Sequence, residues 1–168
     1  HTYNIRRKAQ TDNNITFEIK RDGIVSTMEF AYFKNKDVES VFCYEDNRIV
    51  PFPKSISKMF CGLPLIGMED IGLPFILNSL KFKPSQERNG VAISPSSNPE
   101  NRQLFVDSVD LYGKILDYVE AKKMDCAYNL AHMSRMYNGD QESNTQFVNV
   151  GIVNYVNKLL NHTVVRSQ

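Results

Sequence analysis

The hydrophobic period of this chain changes near Pro95, and that change limits the possible folds more than any other feature. Before it, Ile15, Phe17 and Ile19 alternate with Thr16, Glu18 and Lys20, the period of a strand with one buried face. Asp22-Gly23 then offers a hairpin turn, and Met28, Phe30 and Tyr32 resume the alternation on a second strand. A further strand is predicted over residues 38–44, after the polar Asn35-Lys36-Asp37, and Glu45-Asp46-Asn47 turns the chain towards Ile49-Val50-Pro51. Phe75-Ile76-Leu77 and Val91-Ala92-Ile93 are short apolar runs bounded by Gly and Pro, the pattern of buried central strands.

Beyond Pro95 the period becomes helical. Asn98 can cap, Pro99 suits the first helical position, and Glu100 favours the positive end of the helix dipole. Leu104, Phe105, Val109, Tyr112, Ile115, Leu116 and Val119 then form one apolar stripe that ends at Lys122-Lys123. A second helix is predicted over residues 126–136, stopping at Asn138-Gly139. Ser143 with Gln146 makes a capping box for a third, with Phe147, Val150, Val153, Val156 and Leu160 on its buried face. Sheet first and helices second define an α+β fold: an antiparallel or mixed sheet in the first half, packed by C-terminal helices. Residues 1–168 read as one domain, strand-rich over 1–95 and helical over 98–162, and 42% hydrophobic content is enough for a sizeable core.

Charge and cysteine usage exclude several function classes. Twenty basic and 19 acidic residues leave a net charge of +1, which gives no electrostatic case for a nucleic-acid or anionic-membrane partner. No apolar run approaches the roughly 18 residues needed to span a bilayer. Cys43, Cys61 and Cys126 are odd in number and widely spaced, which fits free thiols in a reducing cytoplasm. His1, His132 and His162 lack any metal-ligand spacing, and His132 reads as a helix-surface or partly packed residue. The phosphate-cradling glycine motifs are absent, as is a nucleophile elbow around Ser94-Pro95-Ser96-Ser97. The chain holds no complete active site of its own.

The candidate functional stretch is residues 62–90. It packs Gly62-Leu63-Pro64, Gly67, Gly72-Leu73-Pro74, an apolar strand ending at Asn78, and Arg88-Asn89-Gly90 into fewer than thirty residues, a high density of special backbone positions. The glycines serve shape, and Glu69-Asp70 solvates a turn, since adjacent carboxylates on an extended segment point apart. Arg88 carries a rigid fork of donors suited to a transferring phosphoryl group, or else pairs with Glu87 or another acid. Asn78 fixes the loop or bonds a phosphate, or else caps a turn. Leu80 and Phe82 are apolar anchors in the intervening loop, where a partner could dock.

This stretch resembles the region that follows the ATP-binding domain in sacsin-like proteins and, more distantly, in the ninety-kilodalton heat-shock chaperones, members of the GHKL ATPases. The resemblance covers residues 56–135. It rests on Phe60-Cys61-Gly62-Leu63-Pro64-Leu65-Ile66-Gly67-Met68-Glu69-Asp70, on Leu73-Pro74-Phe75-Ile76-Leu77-Asn78-Ser79, on Arg88-Asn89-Gly90, and on Leu111-Tyr112 in the following helix. It implies a middle domain of a larger multidomain protein, of the ribosomal-protein-S-five-domain-two type. In that setting Arg88, supported by Asn78, reaches ATP and magnesium held by a preceding domain, and the chain binds a client or a second copy of itself. Neither cofactor is expected on this chain alone. A non-catalytic interaction module is the other reading, with Leu80, Phe82 and Arg88 as its surface.

Overall fold

The computed structural model describes residues 3–96, 98–133 and 141–162. Four strands, β1 (Tyr3–Gln10), β2 (Asn14–Arg21), β3 (Ile24–Asn35) and β4 (Val38–Glu45), form an antiparallel meander. Its turns follow from the residues that fill them. Asp22 and Gly23 both take positive φ (49° and 86°), as do Asp46 and Asn47 (47° and 62°), the backbone of a turn whose twist matches its strands. The second of these leads into β5 (Arg48–Val50), which pairs with β4.

Three short strands complete the sheet: β6 (Met59–Cys61), β7 (Leu63–Pro64) and β8 (Ile76–Asn78). The sheet order is β1-β2-β3-β4-β8-β6-β7, and the β6–β8 pairing is parallel, so the sheet is mixed. The 24-residue helix α1 (Pro99–Lys122) lies against β3 and β4. Behind it come a 3₁₀ turn (Ala127–Leu130), α2 (Gln141–Gln146), a π-helical turn (Phe147–Ile152) and α3 (Val153–Leu160). The chain is α+β, as its change of period predicts.

Strands and helices share one core, in which aromatic rings bridge the two layers. Phe33 meets Tyr118 of α1 edge-on at 5.2 Å, Phe75 packs with Tyr112 and Tyr155, and Phe105 joins Phe82 to Phe147. The side of the sheet opposite Phe33 carries Phe17, Phe30 and Phe52 in a row of half-buried rings.

Four local expectations are corrected. Val91 and Ile93 are buried and Ala92 half-buried, but they form no strand; Val91 bridges to Pro84, and side chains bond the Ala92 carbonyl and the Ile93 amide. The predicted helix over 126–136 is, up to Met133, only the 3₁₀ turn, and its stop at Asn138-Gly139 lies outside the described residues. Ser143 sits inside α2 and accepts a hydrogen bond from the Ile93 amide at 3.3 Å, so it ties a loop to the helix. The last helix buries Phe147, Val150, Ile152 and Tyr155, while Val153, Val156 and Leu160 are exposed. The π turn explains that shift, because its wider turn rotates every later residue off the 3.6 period.

Candidate functional site

Gly62 is the hinge of the tight turn between β6 and β7, at φ 71°, where Cys61 pairs with Leu63. Both residues singled out from the sequence hold this turn. From the end of β8, Asn78 Oδ1 accepts the Gly62 amide at 3.1 Å, and its Nδ2 donates to Glu39 Oε2 at 3.0 Å. Glu39 in turn accepts the Tyr32 hydroxyl at 3.0 Å. Burial, with the Glu39 carboxylate beside it, pushes that phenol up to about 12. A chain of side-chain hydrogen bonds thus runs from β3 through β4 and β8 to the Gly62 turn.

Arg88 reaches the same turn from the other side. Its Nη2 donates to the Cys61 and Leu63 carbonyls at 3.4 and 3.5 Å, the long end of the hydrogen-bond range. Among the described residues no carboxylate forms an ion pair with it, so Glu87 is not its partner; Glu87 accepts from Asn89 Nδ2 at 3.0 Å. Its backbone is firmly held. The Arg88 amide donates to Ser85 O at 2.9 Å, its carbonyl accepts from Ile66 at 2.8 Å, and its φ of 54° is in the left-handed region that costs a non-glycine residue about 1 kcal/mol.

A residue that the sequence did not single out sets the base of this loop. Asn101, fully buried in the first turn of α1, accepts the Lys83 amide at 2.9 Å and donates to the Lys83 and Ala92 carbonyls at 2.9 and 2.8 Å. It supplies pairing that a strand ladder would otherwise give. An Asn in the first helical turn, just ahead of the apolar stripe, was the available signal.

Leu80 and Phe82 part company. Leu80 is 79% exposed and leans over Gly62, where a Cβ would stand 3.0 Å from its Cδ2. Leu63, whose carbonyl the Arg88 head group contacts, and Ile66, whose amide donates to the Arg88 carbonyl, are both 67% exposed. Phe82 is 3% exposed and packs on Phe105, so the expectation that it faces a partner is corrected: its ring belongs to the core.

The Gly72-Leu73-Pro74 segment serves a different feature, one wall of a cavity of ≈ 600 Å³ that also takes in Phe52, Lys58, Asp70 and His132. Lys58 Nζ lies 5.3 Å from the Phe52 ring centroid. Burial pulls the Lys58 ammonium below its ordinary value, against the pull of Asp70. His132 is exposed and lies outside any helix. Among the described residues no three His, Cys, Asp or Glu side chains converge as a metal site would require, and no helix is long and apolar enough to cross a membrane.

The chain matches no protein-family model, no curated protein and no solved structure.

Proposed function

We propose that this chain is the middle domain of a larger, cytoplasmic, chaperone-like ATPase related to sacsin. Arg88 is offered to the phosphates of an ATP that a preceding domain holds with its magnesium, and the contact is relayed to a client or partner. One observation carries the reading: the Arg88 main chain is anchored by hydrogen bonds of 2.9 and 2.8 Å while its guanidinium has only long carbonyl partners. Such a head group exchanges long bonds to neutral carbonyls for short, ionic ones when a phosphate arrives, without rebuilding the loop that carries it. Asn78 supports this by fixing the turn on which Arg88 rests. The mixed sheet under α1 is compatible with the ribosomal-protein-S-five-type middle segment that the motif implies.

The test is ATP turnover of the full-length protein with Arg88→Ala. Loss of an arginine that stabilises the transferring phosphoryl group lowers turnover by a factor of about a thousand or more. Unchanged turnover removes Arg88 from the mechanism. A non-catalytic interaction module is the second reading, favoured by the exposed Leu63, Ile66 and Leu80 around Arg88. Under it, Leu80→Ala weakens partner capture while Arg88→Ala leaves turnover untouched.

A further inference from the structure

The cavity of ≈ 600 Å³ walled by Gly72-Leu73-Pro74 plays no part in the proposed contact of Arg88 with ATP, since neither Arg88 nor the Gly62 turn lines it. Its volume is that of a small-molecule site. Main-chain bonds fix its frame: the Lys58 amide donates to Met68 O at 2.8 Å, the Lys58 carbonyl accepts from Leu77 at 2.9 Å, and the Leu73 amide closes a three-residue turn on Ile71 O at 2.8 Å. Ile71 and Leu73 are buried and Phe52 half-buried, so one wall is apolar and preformed.

The Lys58 head group is not fixed in the same way. The residue is half-buried, its ammonium stands 5.3 Å from the Phe52 ring centroid, and among the described residues that ammonium forms no hydrogen bond and no ion pair. Its donors are left for a group that enters the cavity. Burial has drawn the ammonium below its ordinary value, with Asp70 pulling the other way, as expected of a charge short of partners. Asp70 lines the same cavity and has no ion-pair partner among the described residues either. Asn129, also on the wall, spends its Nδ2 on Ile49 O at 2.9 Å, which leaves Oδ1 to accept.

The formal charges of Lys54 and Lys58 cancel those of Glu69 and Asp70 around the cavity, which disfavours a ligand that is only an anion or only a cation. A zwitterion meets both signs. We propose that this cavity binds a small apolar zwitterion of the amino-acid or dipeptide class, its carboxylate on Lys58, its ammonium on Asp70 and Asn129 Oδ1, and its side chain on Phe52, Ile71 and Leu73. Ionic hydrogen bonds then join the lone ring contact of Lys58, and burial of the side chain adds affinity.

The experiment titrates the full chain by calorimetry with L-leucine and with L-leucyl-L-leucine, beside isocaproate, which lacks the ammonium, and isoamylamine, which lacks the carboxylate. At least one zwitterion is expected to bind with a Kd of about a millimolar or tighter, and the tighter of the two identifies the source. Each single-charge analogue binds at least about tenfold more weakly, and Lys58→Met, which keeps an unbranched apolar stem, weakens the zwitterion by a similar factor. The analogue comparison uses only the parent chain, so it stands where the variant folds poorly. No binding of either zwitterion at about 10 mM, an analogue bound as tightly as the zwitterion, or full affinity in folded Lys58→Met overturns the proposal.

Discussion

Asn78→Asp tests the hydrogen-bond network through which this residue holds the Gly62 turn. The substitution keeps the acceptor that holds the Gly62 amide at 3.1 Å but replaces the donor to Glu39, 3.0 Å away, with a second carboxylate oxygen. Losing a hydrogen bond to a charged group costs about 1.5–3 kcal/mol. Like charges about 3 Å apart add to that, and with the Glu39 side chain 32% exposed the repulsion is screened to about 1–2 kcal/mol. The total at neutral pH is about 2.5–5 kcal/mol, close to the roughly 2–4.5 kcal/mol of Asn78→Ala, which removes both bonds but adds no charge; the repulsive part alone depends on pH. The pair of carboxylates raises the folded-state pKa of one of them. The repulsive destabilisation is therefore complete above that raised pKa and shrinks as pH falls through it towards the unfolded carboxylate range. Urea unfolding followed by circular dichroism at about pH 7 and about pH 4 reads both effects. An Asp variant that gains no stability relative to the Ala variant between the higher and the lower pH would refute the network drawn from Tyr32 through Glu39 to Gly62.

Phe82→Ala is expected to destabilise the fold by about 3–5 kcal/mol in denaturant titration, whereas Leu80→Ala stays within about 0.5 kcal/mol, because only the first opens a core cavity. His162 contacts Asp117 Oδ1 and the Lys158 carbonyl, both at 2.8 Å; burial opposes its charge, but these contacts outweigh it and raise its pKa. Its contribution, under about 1 kcal/mol, is therefore full below the unfolded value of about 6.5 and is lost as pH rises through the folded one. His162→Gln should lower the Tm at about pH 5.5 and converge on the parent at about pH 9. The isolated chain, with one Arg in its key loop, is expected to bind ATP no tighter than about millimolar in calorimetry; stoichiometric micromolar binding would mean that a whole nucleotide site lies within these residues.

The strands that were legible are those whose neighbours are sequential. β2 and β3 alternate, and the turns that follow β2 and β4 announce themselves through Asp22-Gly23 and Asp46-Asn47, which tolerate positive φ. An apolar run records that it is buried but not what pairs with it. Thus Phe75-Ile76-Leu77 enters the sheet through β8, while Val91-Ala92-Ile93 is satisfied by Asn101 and Ser143 from the helices. The π turn is equally hidden. One wider turn leaves no mark on the apolar spacing until Tyr155 lies on the buried face and Val156 on the exposed one.

The same limit explains the site. Asn78 and Arg88 stand out because an Asn ending an apolar strand and an Arg before Asn-Gly are special in local terms. Glu39, which fixes Asn78, and Asn101, which sets the base of the loop that carries Arg88, are ordinary residues brought in from other segments. That difference bears on mechanism as well as on legibility. Both ends of the Asn78 amide are engaged, by Gly62 and by Glu39 of β4, which hold the side chain against the turn and leave one Nδ2 hydrogen uncommitted. The Arg88 fork is engaged only by long bonds to two carbonyls of the turn that Asn78 secures. In the proposed ATPase, substitution at Asn78 should therefore act on turnover through the seat of Arg88, and should add little once Arg88 itself has been removed.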